Sequence, residues 1–286
     1  MKRLAPWLAA ALSGCEPAPF ALVGHDLGAA DGARLNQPIV LAFNDAVDPG
    51  TVRGETVRVV RERDGARVEG AARAEGATVL FWPRLPVAAD LSDVALQPGE
   101  SYRVEVPGLP MLRTLRGLER GALARGASLP FSTVPLAAGT LRDAPPEQLF
   151  VDPVPGPPHL RDDAPRLPVL RRGLARLHFS EPLDPRAVAR AQFRLKGPWH
   201  QDARPKDDPL LGARLIENPS RAGDPGGPMQ EAVVELALPA TLPAPLEADE
   251  VYEVWFDPGE LRDLAGHSLV RRGVPQLYYV KLVVEQ

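Results

Sequence analysis

The sequence predicts an all-β chain in which one β-sandwich module occurs twice. Three observations predict it. Of 286 residues, 33 are proline, about twice the usual share, and prolines that dense argue against long helices. Short runs of β-branched and aromatic residues recur between Pro, Gly and Asp, every ~10–20 residues. Two long stretches also repeat one another landmark by landmark, which sets the module count at two. With 44% apolar and 24% charged residues, the chain is globular and long enough for two cores.

The N-terminus comes first and reads differently. Lys2 and Arg3 precede an apolar run, Leu4 to Leu12, closed by Ser13-Gly14-Cys15. A positive start, a short apolar stretch and small residues form an export signal. About nine apolar residues are too few to span roughly 30 Å of hydrocarbon, so the segment is expected to be removed rather than to anchor. Cys15 is the only cysteine, which excludes an intramolecular disulfide and a cysteine-based zinc site.

The first repeated landmark is a strand running into an Asp-Pro turn. Ile39 to Phe43 leads into Asn44-Asp45-Ala46-Val47-Asp48-Pro49, and Leu174 to Phe179 leads into Ser180-Glu181-Pro182-Leu183-Asp184-Pro185. The interval from Phe43 to Asp48 equals that from Phe179 to Asp184. The second landmark is a turn and an alternating strand: Leu96 to Val106, and Leu246 to Phe256. Alternation puts Tyr102, Val104 and Val106 on one face, and Tyr252, Val254 and Phe256 on its equivalent, both expected to be core. Further strands are predicted over Thr56–Val60, Ala77–Trp82, Gln192–Lys196, Ala232–Leu238 and Leu277–Val284. Arg113 to Arg125 is the best helix candidate, as one short helix or an irregular loop. The division that follows is a signal peptide over 1–14, a first domain over 15–138 and a second over 139–286. A Pro-rich linker and leading loop cover about 135–168, with Leu149-Phe150-Val151 expected as a strand.

Two resemblances follow from these residues. Leu12-Ser13-Gly14-Cys15 resembles the lipobox of bacterial lipoproteins. That implies cleavage between Gly14 and Cys15, a diacylglyceryl group on the Cys15 sulfur, and palmitate-type acylation anchoring the protein to a membrane. Glu16 follows the cysteine, which implies the outer membrane rather than the inner one if the cell has two. The repeated unit resembles the bacterial immunoglobulin-like (Ig-like) domain of the SbsA S-layer type. Its Phe-x-x-x-Val-Asp turn matches at Phe43 to Asp48 and Phe179 to Asp184. Its Leu-x-Pro-Gly-x-x-Tyr-x-Val strand matches at Leu96 to Val104. Its Asp-Leu-Ala-Gly closing turn matches at Asp263 to Gly266, with His267 where Asn is usual. In the first half that turn has decayed to Pro110–Gly117 followed by an insertion, and Phe131-Ser132-Thr133 resembles the final strand. The resemblance implies two tandem Ig-like sandwiches and carries no shared catalytic residues.

Candidate chemistry is sparse. Gly266-His267-Ser268-Leu269-Val270 begins like a nucleophile elbow but lacks the closing glycine and the strand-to-helix setting; Gly126 to Pro130 fails likewise. None of the five histidines, His25, His159, His178, His200 and His267, has metal-ligand spacing with another, and His178 is expected on a solvated strand face. Asp48 and Asp184 could offer oxygen to calcium, yet each precedes Pro and is expected to cap a turn or short helix. Asp162-Asp163 and Asp207-Asp208 are expected to be solvated, and Trp82, Trp199 and Trp255 are candidates for a sugar platform.

The expectation is a non-enzymatic, lipid-anchored cell-envelope protein, periplasmic or at the cell surface. It would be structural or protein-binding, without catalytic residue, metal or cofactor, and attached to the membrane through Cys15. Its further partner would be an envelope protein or glycan. A net charge of −4 gives no basic surplus for nucleic acid. The alternatives are a carbohydrate- or ligand-binding accessory lipoprotein and, more remotely, an envelope hydrolase.

Overall fold

The computed structural model describes residues 18–27, 32–136, 144–150, 169–197, 208–219, 232–242, 244–248, 250–269 and 278–285. Gly14 and Cys15 lie outside them, as do Val151, His159, Trp199 and most of the Pro-rich segment. Among the described residues the longest helix has six residues, and no helix is long and apolar enough to cross a membrane.

Among its described residues the first half has nine strands: β1 (Leu22–His25), β2 (Ile39–Phe43), β3 (Arg58–Arg61), β4 (Gly70–Glu75), β5 (Thr78–Pro83), β6 (Ser101–Val106), β7 (Arg116–Gly117), β8 (Gly121–Ala122) and β9 (Ala127–Ser132). They form a four-stranded sheet β1-β2-β5-β4, a three-stranded sheet β3-β6-β9 and the hairpin β7-β8. Period-two alternation buries one face of each main sheet. Ile39, Leu41, Phe43, Val79 and Phe81 meet Val59, Tyr102, Val104, Val106 and Phe131 in one apolar cluster, which is the sandwich core.

The second half repeats this order. Its strands are β10 (Val169–Arg171), β11 (Leu174–Phe179), β12 (Phe193–Lys196), β13 (Leu210–Glu217), β14 (Ala232–Ala237), β15 (Val251–Phe256) and β16 (Tyr278–Glu285). The series β10-β11-β14-β13 corresponds to β1-β2-β5-β4, and β12-β15-β16 to β3-β6-β9. Ala175, Leu177, Phe179, Val234, Leu236, Phe193, Tyr252, Val254 and Phe256 form its own cluster. The sheet edges differ between the halves. In the first, the sheets touch at their edges only through the isolated bridges Ala33–Thr133 and Val60–Arg67. In the second, β10 pairs with β16 in parallel and β12 pairs with β13, which closes the sandwich into a continuously hydrogen-bonded barrel.

Two local expectations are corrected. Arg113–Arg125 forms neither a helix nor an irregular loop: it contains the hairpin β7-β8, turned at Gly121 with φ +77°. Gly117 there allows close packing, because a Cβ would sit 2.4 Å from Asp45 Oδ2 and 2.9 Å from Phe20. Leu149 ends a helical turn, α1 (Pro146–Leu149), rather than a strand. Leu149 and Phe150 bury their side chains in the first half's cluster, where the Leu149 carbonyl accepts from the Leu35 N–H at 2.8 Å. Pro146 at the first helical position favours the turn, since its missing N–H would have had no partner there.

Candidate functional site

The repeated landmark residues carry structural chemistry. Phe43 and Phe179 end β2 and β11 with their rings in the cores. Asp48 caps the short helical turn Pro49–Thr51, its Oδ1 accepting from the Gly50 N–H at 2.9 Å. Asp184 caps α2 (Pro185–Arg190) through the Arg186 N–H, also at 2.9 Å. Both Asp184 oxygens are further held by the Arg186 guanidinium at 2.9–3.1 Å, and this pair is buried where Asp48 is not. Each cap backbone docks on a closing turn: the Asp48 N–H donates to Arg116 O at 2.8 Å, and the Asp184 N–H to Arg262 O at 2.9 Å.

Tyr102 and Tyr252 share a bond that alternation alone does not announce. The Tyr102 hydroxyl accepts from the Gln97 N–H at 2.7 Å, and the Tyr252 hydroxyl accepts from the Glu247 N–H at 3.0 Å. In both cases the tyrosine ties the preceding turn to its strand from five residues downstream, as a tyrosine corner does. Burial raises the Tyr102 pKa above its ordinary value.

The closing turn of the second half places Asp263, His267 and Ser268 together. Asp263 is fully buried, accepts from the His267 N–H at 2.8 Å and meets His267 Nδ1 at 2.9 Å. Gly266 adopts φ +93° to complete the turn. Ser268 Oγ is directed at the Gly259 carbonyl, 3.5 Å away, so these contacts close a turn. Among the described residues, no group of three or more His, Cys, Asp and Glu is arranged to hold a metal ion. Trp82 is buried, and Lys196 Nζ lies 5.0 Å from the centre of the Trp255 ring. Asp208, expected in solvent, is buried, and its carbonyl accepts from Arg194 Nη1 at 3.2 Å.

The two halves meet through buried polar groups. Asn218 follows a register shift in β13, and such irregularities re-aim side chains. Its Oδ1 accepts from the Leu183 N–H at 3.0 Å, and its Nδ2 donates to Pro86 O at 2.8 Å and Leu183 O at 2.9 Å. Arg186 Nη1 donates to Ala144 O at 2.7 Å. Leu264 enters the first half's cluster, and Val87 packs on the second's. Beside this junction lies an open cleft of about 620 Å³, lined by Arg84, Leu85 and Val87 from one side and Arg176, His178, Ile216, Glu217 and Val233 from the other. His178 is exposed, as its strand position predicts. At the cleft margin Glu235 is held below the usual carboxylate range, chiefly by a hydrogen bond from Arg214, with Arg176 adding to it. Sequence reasoning missed this junction, because Asn218 and Pro86 are 132 residues apart.

No protein family and no curated protein matches the sequence. Solved structures do match. An Escherichia coli alpha-2-macroglobulin fragment spanning domains MG0-NIE-MG1 is 14% identical, with 93% of this chain and 71% of that one covered and a TM-score of 0.35. The native E. coli alpha-2-macroglobulin shows the same identity and TM-score, with this chain covering 14% of its length. The N-terminal part of the bacterial S-layer protein SbsC is 10% identical, with 94% of this chain and 45% of that one covered, at a TM-score of 0.27.

Proposed function

We propose that the chain is a non-enzymatic bacterial lipoprotein of the cell envelope, built from two Ig-like modules of the SbsA type. It would be anchored by diacylglyceryl-Cys15 and would present its modules as one stiff unit to an envelope protein or glycan. The observation that carries the stiff-unit part is the buried junction at Asn218 and Arg186. Asn218 satisfies the Pro86 carbonyl of the other half, and Arg186 satisfies the carbonyl of Ala144, whose side chain is buried in the first half's cluster; leaving such groups unpaired is costly. The anchor rests on Leu12-Ser13-Gly14-Cys15 and on the physics of acylation, since two or more chains hold a protein where one does so only reversibly. Expression in a bacterial host tests it. Wild-type protein is expected in the membrane fraction with an acylated N-terminal Cys15 by mass, and Cys15→Ser in the soluble fraction. A membrane-bound Cys15→Ser protein still labelled by a fatty-acid analogue would overturn the anchor.

The cleft favours a second reading, a ligand-binding accessory lipoprotein. Its size falls within the range of small-ligand sites, and Arg84, Arg176 and His178 bring donors to it. Titration with envelope glycans and peptides, repeated on Arg176→Glu, separates the readings: saturable binding lost in the variant would favour the second.

A further inference from the structure

We propose that the loop following β6, with Leu109, Met111, Leu112 and Leu118, rests in the surface of the bilayer that holds Cys15. The inference depends on the lipid anchor proposed above and names a second, protein-borne contact with the same membrane.

Four observations converge. The first is a run of apolar side chains in water. Leu109, Met111, Leu112 and Leu118 are 56%, 60%, 102% and 65% exposed. Among the described residues they make up half of the exposed large hydrophobic side chains, and they fall within ten consecutive residues. Single exposed apolar side chains are ordinary, but a concentration of them marks an interaction surface.

The second is position. The Leu109 N–H donates to Leu123 O, and the next amide, Ala124 N–H, donates to Phe20 O. Leu109 is thus two strand spacings from Phe20, about 10 Å. Arg120 Nη1 also holds Ala18 O at 2.9 Å. Ala18 is three residues beyond Cys15, a reach of at most about 11 Å. A lipid on Cys15 therefore keeps this end of the molecule at the bilayer.

The third is charge. Arg113, Arg116, Arg120 and Arg125 flank the apolar residues, against the single acid Glu119 within the segment from Pro107 to Arg125. In space Glu55 pairs with Arg113 and Asp45 lies beside Arg120, so the local basic excess rests on Arg116 and Arg125, in a chain whose net charge is −4. Apolar side chains bordered by arginine suit the boundary between anionic headgroups and acyl chains.

The fourth is internal to the repeat. Among the described residues the corresponding segment of the second half has no exposed leucine: Leu261 is buried in its own cluster, as Leu115 is in the first half, and Leu264 is buried in the first half's cluster. The module adjacent to the anchor carries the exposed apolar loop in that place, so the feature does not follow from the module's fold.

The test uses the acylated mature protein carrying Leu112→Cys. Acylation blocks Cys15 as a thioether, leaving the new thiol as the sole site for an environment-sensitive fluorophore. Val251→Cys, an exposed position in the second half, is the control. On vesicles of phosphatidylethanolamine and phosphatidylglycerol, the Leu112 label is expected to shift to the blue and to be quenched by nitroxide lipid, with the Val251 label unchanged. Vesicle-bound protein whose Leu112 label stays water-like overturns the loop contact and leaves the anchor standing. A blue shift without vesicles assigns the surface to a second copy or another protein and also overturns it. Absence of acyl mass on Cys15 removes the anchor, and this inference with it. In unacylated Cys15→Ser protein, Met111→Asp with Leu112→Asp is expected to weaken residual vesicle binding on the order of tenfold. The fold is preserved, because both side chains are exposed; equal binding by both proteins overturns the proposal.

Discussion

Tyr102 and Tyr252 illustrate how one atom ties a turn to a sheet. Replacing either by Phe keeps the ring in the core and removes only the hydroxyl, leaving the Gln97 or Glu247 N–H without its partner. Each variant is expected to lose about 1–2 kcal/mol, read as a fall in urea midpoint at unchanged slope. The two Asp-Pro caps predict a contrast. Asp48→Ala removes one partly exposed cap and should cost about 1 kcal/mol. Asp184→Ala strands the buried Arg186 guanidinium and should cost about 3–5 kcal/mol. Equal losses in denaturant titrations would contradict the burial difference. The sequence made the two aspartates look alike, since the capping motif is local. Arg186 turns one of them into a buried ion pair, which depends on what the other half places over it.

At the scale of elements, the turn joining β10 and β11 shows why some strands escaped the sequence reading. Arg172 and Gly173 both have positive φ, +51° and +77°, the pattern of a two-residue hairpin turn that normally announces itself as Asn-Gly. With arginine in the first place the signal is muted and β10 is not predicted. Arg172→Asn should stabilise by about 0.5–1 kcal/mol and Gly173→Ala destabilise by about 1 kcal/mol, both measured by thermal denaturation. Strand β4 was missed for another reason: its glycine, alanines and arginine have low β preference, and cross-strand pairing with β5 supplies what composition does not. In the loop after β3, Arg61 brings the Asp64 carboxyl down to about 2. A carboxylate depressed on folding contributes its stability above the unfolded value near 3.8, and that contribution is lost as pH falls through about 2. Asp64→Asn should therefore show a shallower loss of melting temperature across that interval than the wild type.

At the scale of the whole molecule, the buried junction predicts cooperative unfolding. With Asn218 and Arg186 satisfying carbonyls across the halves, the described body should melt in one calorimetric transition. Asn218→Ala leaves Pro86 O and the Leu183 backbone groups unpaired and should cost about 1–3 kcal/mol. It should also separate two transitions, one for each apolar cluster. The barrel-closed second half should then be the later to melt, because its sheet edges are paired through β10-β16 and β12-β13. A wild-type protein that already unfolds in two steps would show that the junction does not couple the cores.

The sequence by itself determined the all-β class, the doubled order of landmarks and the inward faces of the Tyr and Phe strands. These depend on periodicity, spacing and turn chemistry over a few residues, where each side chain's role follows from its immediate neighbours. Tertiary structure alone decided that Asn218 bonds to Pro86, that Asp184 lies in a buried ion pair, and that the second sandwich closes into a barrel. It also placed the loop from Leu109 to Leu118 beside Phe20 rather than at the far end of the molecule. Asp184 and Arg186 are near neighbours in sequence, but their burial, like the Asn218 bonds and the β10-β16 pairing, depends on residues 42 or more positions away. The energies of these contacts come from desolvation and edge pairing, which exist only once both partners have been brought together and water has been excluded.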